Sequence, residues 1–138
     1  MEEYYYFDTS IWLDFFENRD EPNFPKSIWA RKLIRKIIQE EGKIIFSDNN
    51  MIEFVENGYL EFEIEEKLNK FGDLVIHIDS TEKEIGKAKD LAQKRNVPKR
   101  DALHALIARD NNAILITIDN HFKKLTDIAI PHKPKDFI

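Results

Sequence analysis

A chain of 138 residues without cysteine fits one domain, residues 1–138, with its own core, and excludes disulfides, thiolate metal sites and cysteine nucleophiles. Its net charge of −5 argues against coating nucleic acid through overall charge, and no apolar stretch approaches the roughly 20 residues that span a bilayer. The acidic Met-Glu-Glu start lacks the basic region of a secretory signal, so a cytoplasmic home is expected.

Tyr4 to Phe7 reads as a first strand, and Thr9 to about Asn18 as a helix with Ile11, Trp12, Phe15 and Phe16 on one side. The run Asp20-Glu21-Pro22-Asn23-Phe24-Pro25 breaks it, and Ser27 is expected to cap a second helix to about Glu40. Gly42 ends that helix, Lys43 to Ser47 is a second strand, and Asp48 or Asn49 caps a helix to about Asn57. Met51, Ile52, Phe54 and Val55 form the apolar face of that helix. Another amphipathic helix covers Leu60 to Lys70, and Leu74 to Ile78 is a third strand. Thr81 with Glu84 is a capping box for a polar helix ending near Arg95, and Pro98 suits the first turn of a helix to about Asp110. Ala113 to Ile118 is a fourth strand, followed by a short helix through Leu125 and an edge strand at Ile128 to Ile130. Strands separated by helices imply an α/β fold, with a central, mainly parallel sheet and helices on both faces.

That topology gathers four acids. Asp8 and Asp119 directly follow strands, Asp101 opens a helix that leads into a strand, and Glu53 lies in the helix after the second strand. All four therefore fall at the edge where parallel strands end, the ligand-binding edge of open α/β sheets. Two unit charges ~5 Å apart at an effective dielectric of ~20 repel by roughly 3 kcal/mol, so such a cluster points to a divalent cation.

Each acid also has a plainer explanation. Asp8 and Asp119 can cap the helices that follow them, and Asp101 suits the positive end of its helix. Asp101, however, shares a face with Ala105 and Ala108, where a carboxylate needs a partner. Glu53 suits solvent equally well, and Glu56 competes with it. Basic residues cluster at Arg31, Lys32, Arg35 and Lys36, at Lys94, Arg95, Lys99 and Arg100, and at Lys123 and Lys124. Solvated helix faces account for them, but the second cluster adjoins Asp101.

The segments FDTSIW around Asp8, SDNNMIEF around Glu53, KRDALHALIA around Asp101 and LITIDNHF around Asp119 resemble the PIN-domain ribonucleases. The likeness is nearest to the toxins of VapBC-type toxin–antitoxin pairs and their archaeal relatives. It extends to the closing KPKDFI, which resembles the family's final proline-containing strand segment. The resemblance implies a three-layer α/β/α sandwich and metal-dependent endonuclease cleavage of RNA. It makes Asp8, Glu53, Asp101 and Asp119 the metal-binding acidic quartet, and Thr117 a hydroxyl that orients a carboxylate or a metal-bound water. Ser10 is a lesser candidate for a supporting or substrate-binding role, and Lys99 and Arg100 are candidate RNA contacts. A protein antitoxin and a homodimer are implied partners, with Trp12, Phe15, Phe16 and Trp29 serving core or interface. Ile118 departs from the pattern, in a slot that is often polar in relatives.

Hard oxygen ligands without cysteine or clustered histidine suit Mg²⁺ or Mn²⁺ rather than Zn²⁺. His104 and His121 are candidate proton donors, or else structural or rim residues, and His77 belongs to the core or a sheet face. An aspartyl phosphatase is disfavoured because Ser10 stands where a second Asp is wanted. A phosphoacceptor domain built on Asp79 lacks an acidic pair at the end of the first strand. The non-enzymatic alternative is a PIN-like binding or scaffold module.

Overall fold

The computed structural model describes residues 3–138. Its strands are β1 (Tyr4–Phe7), β2 (Lys43–Ser47), β3 (Val75–Ile78), β4 (Ile114–Ile116) and β5 (Pro131–His132). Its α-helices are α1 (Thr9–Glu17), α2 (Lys26–Gln39), α3 (Asp48–Glu56), α4 (Glu61–Asn69), α5 (Glu82–Arg95) and α6 (Lys99–Asp110). The strands form one sheet in the order β3-β2-β1-β4-β5, and every pairing is parallel. Among the described residues, no helix is long and apolar enough to cross a membrane.

Strand alternation builds the layers. Tyr5, Phe7, Ile44, Phe46 and Ile116 point to one face, where they meet Ile11, Trp12, Leu33, Ile37 and Phe54. Tyr6, Ile45 and Leu115 point to the other, against Leu91, Leu103, Leu106 and Phe122. Helices α1 to α4 thus cover one face and α5 and α6 the other, giving an α/β/α sandwich. Both cores are apolar enough that truncating one such side chain to alanine costs about 2–5 kcal/mol. Helix α6 is buried from Asp101 through Ala108, and its alanines let it lie close to the sheet.

Several local expectations are corrected. Ser27 does not cap α2 but lies inside its first turn; its N–H and Oγ both donate to Asp20 Oδ1 at 2.9 Å. Ser47, not Asp48 or Asn49, caps α3, exchanging hydrogen bonds with Asn50 in a capping box. Glu41, not Gly42, takes the left-handed conformation after α2 (φ 59°). Gly42 answers a crowding need instead, because a Cβ there would lie 3.0 Å from the Glu3 carbonyl and 3.1 Å from Ile37.

The edge strand is Pro131–His132 rather than Ile128–Ile130, because the N–H groups of Ile128 and Ala129 turn back to the Leu125 carbonyl. Proline costs nothing on an outer edge, where its missing N–H has no partner to lose. The closing segment Pro134–Phe137 is a 3₁₀ turn, not a strand. On α3, Ile52 and Val55 are exposed while Phe54 carries the buried contact, and His77 stands exposed on the edge strand β3.

Candidate metal centre

From β1 the chain steps outward through β2 to β3, then returns to add β4 and β5 on the other side. The order reverses between β1 and β4, where neighbouring crossovers leave on opposite faces and open a crevice. Asp8 directly follows β1, while Thr117 and Asp119 follow β4, so they flank this switch point. The first turn of α6 delivers Asp101 to the same edge, and α3 delivers Glu53.

Asp8 is buried and fully engaged. Its Oδ1 accepts from Ser10 Oγ (2.6 Å) and the Ile11 N–H (3.2 Å), and its Oδ2 from Thr117 Oγ1 (2.5 Å). Burial raises its carboxyl above the usual range, opposed by those hydrogen bonds. The capping role is therefore real, since Asp8 is the N-cap of α1. Asp119 likewise caps the following 3₁₀ turn, accepting the His121 N–H at 2.8 Å. Capping and clustering coexist because each carboxylate has oxygens for both.

Asp101 lies opposite. Burial and then the Asp119 charge push its carboxyl up to about 6, with Asp8 adding to the repulsion. His121 Nδ1 stands 3.0 Å from both Asp101 Oδ2 and Asp119 Oδ1. Asp101, Asp119 and His121 each offer a ligand atom, and these atoms all lie within 4.8 Å of one another. Asp8 and Glu53 stand outside this triplet. In sequence His121 is a candidate proton donor or a structural or rim residue, not a ligand; its place two residues after Asp119, in the turn that Asp119 caps, sets its ring beside the two carboxylates.

Glu53 faces a buried polar network rather than solvent. Its Oε1 accepts from Thr9 Oγ1 (2.8 Å) and from His104 Nε2, and Asn50 Nδ2 in turn donates to Thr9 Oγ1 (3.0 Å) and to the Phe7 carbonyl (3.2 Å). Burial raises the Glu53 carboxyl, but hydrogen bonds from His104 and Thr9 outweigh it and leave it below the usual value. The rival Glu56 is exposed and pairs with Arg100 at 3.5 Å. Sequence reasoning did not assign Thr9, Asn49, Asn50 or Tyr6 to this network; their signal is only their adjacency to strand ends.

Of the candidate RNA contacts, Lys99 is exposed at the start of α6. Arg100 is held by Asn49 Oδ1 (3.2 Å) and Glu56, and Ser10 is committed to Asp8.

The family model described as PIN domain matches residues 5–128. The chain belongs to the PIN domain family. Comparison with curated protein sequences finds no match. Among solved structures, this PIN domain is similar to a chain of a toxin–antitoxin complex from Klebsiella pneumoniae (20% identity, TM-score 0.60, 94% of this chain and 97% of that one). It is also similar to chains of VapBC2 from Rickettsia felis, solved with a promoter DNA fragment (19%, TM-score 0.66, 94% and 98%), and of VapBC-1 from nontypeable Haemophilus influenzae (19%, TM-score 0.66, 96% and 98%). At these identities the likeness is one of fold, and it spans nearly the whole PIN domain.

Proposed function

We propose that this PIN domain is a divalent-metal-dependent endoribonuclease and the toxin of a toxin–antitoxin pair. The observation that carries the reading is the gathering of Asp8, Asp101 and Asp119 at the switch point, where burial first and then the Asp119 and Asp8 charges raise the Asp101 carboxyl to about 6. A cation among them would turn that repulsion into attraction. The donor set fits one: carboxylate oxygens and a single imidazole nitrogen, without thiolate, suit Mg²⁺ or Mn²⁺.

Asp8, Asp101, Asp119 and Glu53 are the residues to hold it, with His121 as a further ligand. When bound, such an ion supplies a grip on the phosphate and lowers the pKa of an attacking water. The chain's own residues do the rest. Thr117 and Ser10 keep Asp8 oriented and ionised, and Thr9 keeps Glu53 facing the crevice. Lys99 stands at the rim to meet the RNA backbone, while Arg100 can be drawn toward it from Glu56.

The neighbours support the partner in this reading: chains from toxin–antitoxin complexes share this fold across nearly the full chain. A homodimer is part of the same reading. The test is cleavage of varied RNAs with and without Mg²⁺ or Mn²⁺, in wild type, Asp8→Asn and Asp101→Asn. The reading expects metal-dependent cleavage in wild type and at least a hundredfold loss in both variants. Metal-independent cleavage, or full activity in both variants, defeats it. No cleavage of any RNA would favour a scaffold module.

A further inference from the structure

His104 lies three residues after Asp101 on α6, 1% exposed, and nothing in the reaction described above uses it. Both of its ring nitrogens are occupied. Nε2 meets Glu53 Oε1, while Nδ1 meets Tyr6 Oη (2.5 Å) and Asn49 Nδ2 (3.1 Å).

The neighbours decide which nitrogen carries the proton. Asn49 Nδ2 donates to the Arg100 carbonyl (3.0 Å), and Asn49 Oδ1 accepts from the Arg100 guanidinium (3.2 Å). Flipping the amide would set an oxygen against a carbonyl and an NH₂ against a cation, so Arg100 fixes its orientation. The NH₂ group then faces His104 Nδ1, which must be the acceptor. Tyr6 agrees: burial holds its phenol well above the usual range, so it remains a donor, and Ser47 Oγ lies 2.7 Å behind it. The proton of the ring therefore sits on Nε2, aimed at Glu53.

We propose that His104 is a positioning residue that holds Glu53 in the crevice, with its tautomer set by Asn49 and Tyr6. Together with Thr9 it occupies Oε1, leaving Oε2 as the Glu53 oxygen without a hydrogen-bond donor among the described residues. Two donors on one side of the ring dictate a donor on the other. Carboxylates that bind metals depend on such outer partners, whose loss commonly lowers metal affinity or activity 10–100-fold. The consequence for catalysis rests on the nuclease reading, whereas the tautomer does not.

The first measurement is the ¹⁵N shift pair of His104 in the metal-free protein, which should show a protonated Nε2 and an unprotonated Nδ1. A proton on Nδ1 overturns the proposal whether or not the protein cleaves RNA. Second, His104→Phe should lower kcat 10–100-fold, leave KM for RNA within about twofold, and raise the Mn²⁺ half-saturation about tenfold. His104→Gln, whose amide can still donate toward Glu53, should recover most of both losses. A His104→Phe protein that matches wild type in kcat and Mn²⁺ binding, or a His104→Gln protein as impaired as His104→Phe, overturns it. If wild type cleaves no RNA, the nuclease reading falls, and the ¹⁵N pair and the Mn²⁺ titration still judge His104 alone.

Discussion

The Thr117 hydroxyl donates to Asp8 Oδ2 at 2.5 Å, joining residues 109 positions apart in the chain, and Thr117 Oγ1 in turn accepts the Asp119 N–H at 3.0 Å. One buried hydroxyl thus couples the ends of β1 and β4. Thr117→Val keeps the shape and removes the donor. Burial already pushes the Asp8 carboxyl up, so losing Thr117 raises it further and favours the neutral acid. Cleavage should fall at least tenfold near neutral pH, and its acidic limb should move to higher pH. Stability should drop by about 1–2 kcal/mol for the buried group left unsatisfied. Thr117→Ser should restore both. A pH–rate profile alongside urea unfolding checks this, and an unmoved acidic limb would refute it.

Asp101 offers the opposite trade. Its folded value of about 6 lies above the ordinary Asp value of about 3.9, so the folded state binds the proton more tightly. The ionised carboxylate therefore costs stability, fully above about pH 6, and the cost is relieved as pH falls from there toward 4. Asp101→Asn should stabilise the metal-free protein at pH 7.5 by on the order of 1–2 kcal/mol, allowing for solvent screening, while abolishing metal-dependent cleavage. The gain should vanish near pH 4. Thermal melts of wild type and variant in chelator at the two pH values decide it. A variant less stable than wild type at pH 7.5 would contradict the crowding.

The start of α2 separates stability from function. Asp20 reaches forward to hold both the N–H and the hydroxyl of Ser27, because the side chain of the N-cap Pro25 has no acceptor to offer. Asp20→Ala should destabilise the fold by about 0.5–2 kcal/mol, the usual cost of a lost cap, with cleavage of the remaining folded protein unchanged. Urea midpoints and kcat measured together test the pairing.

The parts of this site differ in how far the sequence makes them legible. Strand and helix alternation implies the parallel sheet, and the sheet by itself puts Asp8, Asp101 and Asp119 at one edge. The polarity of α6 was equally plain, since a carboxylate beside Ala105 and Ala108 has few bland explanations. What pattern cannot carry is side-chain reach. Asp20 caps a helix from seven residues away, and Glu53 finds His104 across a separation of 51. The shift of β5 to Pro131–His132 depends on a turn closed by the Leu125 carbonyl, which no periodicity announces. Likewise His121 joins the site through its cap geometry rather than through its residue type.

His121 gives the sharpest probe of the ion itself. Its ring is half-exposed, yet Nδ1 lies 3.0 Å from a carboxylate oxygen of both Asp101 and Asp119. The ring thus sits between the two acids, and it offers a nitrogen within 4.8 Å of a ligand oxygen of each, where a cation among them would be in reach. Imidazole nitrogen favours Mn²⁺ over Mg²⁺, which holds closely to oxygen ligands and water. His121→Ala should therefore weaken Mn²⁺ binding about tenfold and Mg²⁺ binding by less than threefold, narrowing the wild-type preference between the two ions. Because the residue is half-exposed, the fold should be unaffected within about 0.5 kcal/mol. Calorimetric titration of each ion into both proteins reads the difference directly. An equal loss for the two ions would mean that His121 acts only by orienting the carboxylates, and tighter binding in the variant would mean that its ring competes with the ion for them.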